Sequence, residues 1–275
     1  MTVAEVTGAD VSADRTKNRF KHLFAHRDLL LAWTLRTIRA RYKQSIIGGL
    51  WAILQPTAST LVFSIVFTYF VKIDTAGIPY IVFSYVAMVP WTFFTTSISD
   101  MVESLVGNMN LVSKIYFPRE ILPIAALLAR LLDFAIAIAL LILLMLYYRV
   151  PFLTLNLLYL PLILAIQVAL ALGLGFIGAA LNVFYRDVKH LITLGLQIWL
   201  YASPIIYPVA KVPEWLRPYY FINPMAGVIE AYRAVLLNQQ TPDVTLITAG
   251  VIAVLVLAIG YFFFKQVEFQ FADVV

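Results

Sequence analysis

Polar and apolar positions fall into long blocks along this chain. Residues 1–25 are small, polar and charged, and read as a flexible tail. Over residues 26–45, Leu31, Leu35, Ile38 and Tyr42 recur at helical spacing. Arg36, Arg39, Arg41 and Lys43 occupy the remaining faces, and Asp28 is placed to cap the start. The pattern predicts an amphipathic interface helix, too charged to cross a bilayer.

Apolar blocks follow at 46–71, 78–105, 121–148, 155–181, 191–206 and 244–264. A crossing helix needs about 20 apolar residues. The blocks therefore predict an all-α, polytopic membrane protein with six transmembrane helices in one domain, 46–265. A tail, 266–275, follows. Pro56 is expected to kink the first span. Two polar stretches, 107–120 and 182–190, are expected to form loops at one end of the bundle. A third, 207–240, is rich in proline and aromatic residues. Within it, Pro224–Leu237 repeats at helical spacing but is too short to cross, so a re-entrant or interfacial helix is expected there. Glu230 and Arg233 form an i,i+3 pair on that helix.

Composition agrees with the pattern. The 275 residues are 62% hydrophobic and 13% charged, against about 25% charged in soluble domains. Nine of the 20 Lys and Arg precede residue 48. Cations beside apolar spans set orientation, and their distribution places both termini in the cytoplasm. The net charge of +5 thus reads as a topology signal, with no nucleic acid partner expected. No cysteine is present, which excludes disulfides and thiolate metal sites. No cleavable signal peptide and no internal repeat are expected.

Charge inside the spans is scarce. Arg130 and Asp133 lie three residues apart on span three. They are either a functional pair or a mutually satisfied pair that fixes helix packing. Asp100 and Glu103, near the end of span two, are expected at the water interface. Phe63, Phe67, Phe70, Tyr85, Trp199 and Tyr201 lie within spans; they either belong to interfacial aromatic belts or line a path for cargo.

Motifs for chemistry are absent. The sequence has no GxxxxGK[ST], no HExxH and no GxSxG. The chain is therefore not expected to be an enzyme by itself, nor to bind a cofactor or metal. Uphill transport would draw on an ion gradient or another subunit. Asp133 is the one acidic residue clearly inside a span, and Arg130 is its ready partner, which favours an energising subunit.

Five segments carry a family resemblance. They are RYKQSIIGGLWAILQP (Arg41–Pro56), YFPREILP (Tyr116–Pro123), NVFYRDVKH (Asn182–His190), ASPIIYP (Ala202–Pro208) and NPMAGVIEAYRAVLL (Asn223–Leu237). In this order they resemble the membrane subunit of type-2 ABC exporters for surface polysaccharides, nearest to O-antigen permeases. Capsule and teichoic-acid exporter permeases share the first segment.

The resemblance implies a homodimer in the bacterial inner membrane, bound to two copies of a cytoplasmic subunit that binds ATP and Mg. It implies a channel between protomers for a polyprenyl-pyrophosphate-linked polysaccharide. Residues 107–120 would couple to the ATPase through Lys114, Tyr116, Pro118, Arg119 and Glu120, with Arg186 and Asp187 on the second inner loop. Residues 207–240 would form an outer gate bearing Trp215, Tyr219, Asn223, Glu230 and Arg233. Arg39, Arg41 and Lys43 are placed either to meet the lipid pyrophosphate or simply to anchor the helix at the inner surface. The rival readings are export of a small lipophilic drug or lipid, and a scaffold or ion-coupled carrier without an ATPase.

Overall fold

The computed structural model describes residues 26–43, 48–71, 75, 77–112, 114 and 117–272. The N-terminal tail, the start of the first apolar block, Tyr116 and the last three residues lie outside the described residues.

Helices make up the fold, and no strand occurs among the described residues. A helix stands where the interface helix was expected, α1 (Arg27–Tyr42). The long elements that follow are α2 (Trp51–Ile65), α3 (Tyr80–Ser104), α4 (Ile121–Tyr147) and α5 (Leu160–Phe184). After them come α6 (Val188–Tyr201), α7 (Pro224–Leu236) and α8 (Thr245–Val267). A π-helical turn, Val66–Phe70, extends α2, and a 3-10 turn, Glu268–Ala272, extends α8.

Among the described residues, five helical stretches are long and apolar enough to cross a membrane: Trp51–Phe70, Tyr80–Ser104, Ile121–Tyr147, Leu155–Phe184 and Thr245–Phe271. The expected fifth span differs. Its helix, α6, has 14 residues and ends at Tyr201. Pro204 and Pro208 follow, and proline supplies no backbone N–H to continue a helical ladder. The chain from Val188 to Ile206 nevertheless runs beside α3. Lys189 Nζ lies 3.8 Å from the Glu103 carboxylate at one end. The Tyr80 hydroxyl donates to the Ile206 carbonyl, 2.6 Å away, at the other.

The core forms around α3. Burial covers 78% of its apolar window, against 11% for that of α2. Tyr85, Val86 and Phe94 have no exposure. Pro90 sits inside α3 without ending it, since the helix continues to Ser104. Helix α8 lies against α5 at a contact made by glycine. A Cβ on Gly173 would meet the Val256 carbonyl oxygen at 2.6 Å, and Gly260 faces Gly173 directly. Small residues allow such backbone approach, which in lipid replaces the hydrophobic drive for association.

Chain direction defines two ends. The near end holds α1, the C-termini of α3, α5 and α8, and the N-termini of α4 and α6. The far end holds Tyr80, the α4–α5 connection and the end of α7. There Gln239 donates to the Pro151 carbonyl (2.8 Å) and accepts at its own carbonyl from Asn156 (2.6 Å).

Helix α1 departs from its sequence reading in one respect. Its N-cap position is His26, and Asp28 falls inside the first turn, without a capping bond. There its carboxylate complements the positive end of the helix dipole. No residue of α1 is buried, and Leu31 and Leu35 are exposed.

The glycine contact makes a prediction. Gly260→Ala must push α5 and α8 apart, at a cost of about 1–3 kcal/mol, read as a lower unfolding temperature in detergent. Gly195→Ala, whose added methyl meets open space, is expected to lose no stability.

Candidate functional site

Two arginines and two aspartates meet where α1, α3 and α4 converge. Arg130 grips Asp100 through two bonds, Nε to Oδ2 at 2.7 Å and Nη2 to Oδ1 at 2.8 Å. Its Nη1 donates to Asp133 Oδ2 at 3.0 Å. Arg41 Nη1 also donates to Asp133 Oδ2 at 3.0 Å, and its Nη2 donates to Asp100. The Tyr42 hydroxyl donates to the remaining Asp133 oxygen. The four charged side chains are only 13–26% exposed. Two positive and two negative charges close into a neutral ring. Burial first, and then the Asp133 carboxylate, push the Tyr42 hydroxyl up to about 12, so it stays a donor at any physiological pH.

Part of this was expected and part was not. Arg130 and Asp133 do pair. Asp100, expected only near the end of span two, is the bidentate partner of Arg130. Arg41 has its guanidinium committed to two carboxylates, whereas Arg39 and Lys43 are exposed beside it.

Arg41, Arg130 and Asp133 wall one cavity, and Arg130 alone reaches a second beside it. The first, of about 300 Å³, is bounded by Tyr42, Trp51, Pro56 and Phe134. The other, of about 410 Å³, opens between α2, α3 and α6 and is bounded by hydroxyl and amide side chains together with Met88, Trp91, Leu196 and Leu200. Volumes of this order suit small ligands or segments of larger ones.

A second ionic cluster sits at the near end. Lys265 Nζ donates to Glu120 Oε2 at 2.7 Å and to Glu268 Oε2 at 2.9 Å. Arg119 donates to the Glu268 carbonyl and lies over the Phe271 ring. Two of the expected coupling residues, Arg119 and Glu120, thus tie the α4 entrance to the end of α8. Lys114, Arg186 and Asp187 are exposed at the same end, and Pro118 is half-buried.

The gate residues divide. Asn223 Oδ1 caps α7 by accepting from the Met225 N–H (3.0 Å) and also accepts from Trp199 Nε1 (2.8 Å). Its Nδ2 donates to the Ala202 carbonyl and to Ser203 Oγ, at 3.2 and 2.9 Å. Arg233 is buried, bonded to Glu230 (2.9 Å) and to the Ile205 carbonyl (2.9 Å), and stacked on Phe83. Together they hold the turn that follows α6. Trp215 and Tyr219 are exposed and take no part.

The six span aromatics also divide. Tyr85 is core, and Phe67 stacks on Tyr80, with Phe63 beside it. Trp199 meets Trp91 and Phe94 edge-on. Phe70 and Tyr201 are exposed. Sequence reasoning missed Tyr42, Lys265 and Glu268. For the last two a signal existed, an i,i+3 opposite-charge pair at the end of an apolar run.

Removing one member of the ring leaves an unbalanced carboxylate. Arg41→Gln is expected to cost about 1.5–3 kcal/mol and to raise hydrogen exchange across residues 27–42 while α3 and α4 keep their protection. Adding Asp100→Asn should recover part of the loss by restoring neutrality.

Comparison with known proteins agrees with this architecture. A family model described as ABC-2 type transporter matches residues 28–237, which include the charge ring and the Asn223 node. The chain is 29% identical over 256 residues to the O-antigen export system permease protein RfbA of Myxococcus xanthus, covering 92% of this chain and 97% of that protein. It is 27% identical to a Klebsiella pneumoniae protein of the same name, covering 90% and 95%. It is 28% identical to the polysialic acid transport protein KpsM of Escherichia coli, covering 85% and 91%. With three-quarters of its length matched, the chain belongs to the ABC-2 type transporter family.

Proposed function

We propose that this chain is the permease subunit of an ATP-driven exporter that carries lipid-linked O-antigen polysaccharide across the bacterial inner membrane. The observation that carries the reading is likeness over nine-tenths of the chain to proteins named O-antigen export permeases. A bundle with polar side chains lining a cavity at membrane depth supports it. The KpsM likeness favours a second reading, capsule export, on the same architecture.

In this reading the near end is cytoplasmic, as the cations of α1 require. The chain crosses six times, with α6 and the turn to Ile206 making the fifth crossing together. Two protomers form the channel, and two partner subunits bind ATP and Mg. The partner subunits dock on Lys114, Arg186 and Asp187, which are exposed at that end.

Motion then has two physical routes into the bundle. The Arg41 ring couples α1 to α3 and α4. The Lys265–Glu120 and Arg119–Glu268 contacts couple the loop before α4 to α8. The residues Asn223, Glu230 and Arg233 hold the outer turn after α6 and act as its gate. Arg39 and Lys43 are exposed and make no ion pair among the described residues, which suits their cationic heads to the lipid pyrophosphate, while Arg41 fixes the helix that presents them.

Deleting the gene in its host should abolish the long-chain surface glycan ladder and leave lipid-linked polymer inside the cell. An unchanged ladder would reject the reading. A cation near an anionic surface contributes about 1 kcal/mol. The double variant Arg39→Gln, Lys43→Gln removes two such cations, about 2 kcal/mol together, and should therefore need roughly thirtyfold more lipid-linked substrate for half-maximal export, with normal membrane insertion.

A further inference from the structure

The larger cavity bears on the kind of glycan that can pass, an inference that rests on the exporter reading above. Three helices each contribute a pair of polar side chains one turn apart. These are Gln55 and Ser59 on α2, Thr92 and Thr96 on α3, and Thr193 and Gln197 on α6. The Thr96 hydroxyl donates to the Thr92 carbonyl at 2.7 Å and that of Thr193 to the Lys189 carbonyl at 2.8 Å, so each keeps its oxygen free to accept. The Gln55 and Gln197 side chains are exposed and make no hydrogen bond among the described residues. Amides left unpaired in hydrocarbon are costly, so this face meets water or a polar cargo.

The charge of the cavity is as informative as its polarity. Arg130 is the one ionisable residue on its wall, and Asp100 and Asp133 saturate that guanidinium. Arg41 completes the balance from the neighbouring cavity. The wall therefore offers donors and acceptors but no uncompensated cation. A neutral sugar, whose hydroxyls both donate and accept, finds matching partners. A chain of carboxylate-bearing sugars would lose hydration and gain no counter-charge.

We propose that this cavity is a contact site for an uncharged glycan, with Gln55, Ser59, Thr193 and Gln197 bonding to sugar hydroxyls, and that it disfavours polyanionic glycans.

The test is a charge scan in the host strain deleted for the gene. Gln55 and Gln197 are each replaced by Leu, Glu and Lys. The readout is the rate at which pulse-labelled long-chain glycan reaches the surface, normalised to the amount of variant in the membrane. Losing one hydrogen bond to cargo should slow export about three- to tenfold in the Leu variants. Glu and Lys should slow the passage of the repeat units, after the pyrophosphate-linked end has passed, to a similar extent as each other, because uncharged repeat units do not distinguish their signs. Export that survives with Lys but fails with Glu, or the reverse, would overturn the neutral assignment. Leu variants exporting at the wild-type rate would overturn contact with cargo. A deletion strain that still displays its full ladder would overturn the exporter reading and this inference with it. A deletion strain without its ladder confines any failure to the inference.

Discussion

Charge placed inside an apolar bundle has to be compensated, and the ring of Arg41, Asp100, Arg130 and Asp133 meets that constraint for the near half of this protein. Any one of the four alone would be a liability at this depth. Together they make a neutral joint with good geometry, and the bidentate grip of Arg130 on Asp100 fixes α4 against α3. The joint also reaches α1, a helix with no buried residue of its own. Its attachment to the bundle combines Trp33, which packs half-buried against the cluster of Leu105, Leu122, Phe264 and Phe271, with its last turn, where Arg41 and Tyr42 enter the ring. The neutrality of the adjacent cavity is a by-product of the same balance.

Much of this architecture can be read from the chain. Apolar runs over Ile121–Tyr147 and Thr245–Val267 appear in the structure within a residue or so at one end and three at the other. The helix at Pro224–Leu236 and its Glu230–Arg233 pair follow from spacing alone. Depth and partnership do not. Hydropathy places Asp100 near the end of a long run but says nothing about which neighbour faces it, so its pairing with Arg130 from another helix stays hidden. The same limit conceals the occupation of Arg41, whose sequence neighbours Arg39 and Lys43 are indistinguishable from it by pattern. The early end of α6 has a local cause, Pro204. Its stabilisation is remote, since Asn223 and Arg233 take up the carbonyls of Ala202 and Ile205.

The two faces of the bundle are unequal. Helix α3 is enclosed, whereas α2 and α6 keep Trp51, Leu61, Ile198 and Tyr201 on the outside. A helix that is buried on few sides is held by few contacts, and such elements are the ones free to shift. The less enclosed helices, α2 and α6, therefore border the polar cavity, opposite the enclosed α3. The outer turn is pinned by Asn223 at one point and by Arg233 at another, so its position depends on α7 rather than on α6.

The meeting of Gly173 with Gly260 has a mechanical consequence. Where side chains interlock, helices can slip by small rotamer changes. Here backbone lies on backbone, and there is no rotamer to change. Sliding past this point would require a jump of about one helical turn. The α5–α8 seam thus behaves as a weld. The Lys265 end of α8 and the far end of α5 are thereby held as parts of one rigid pair.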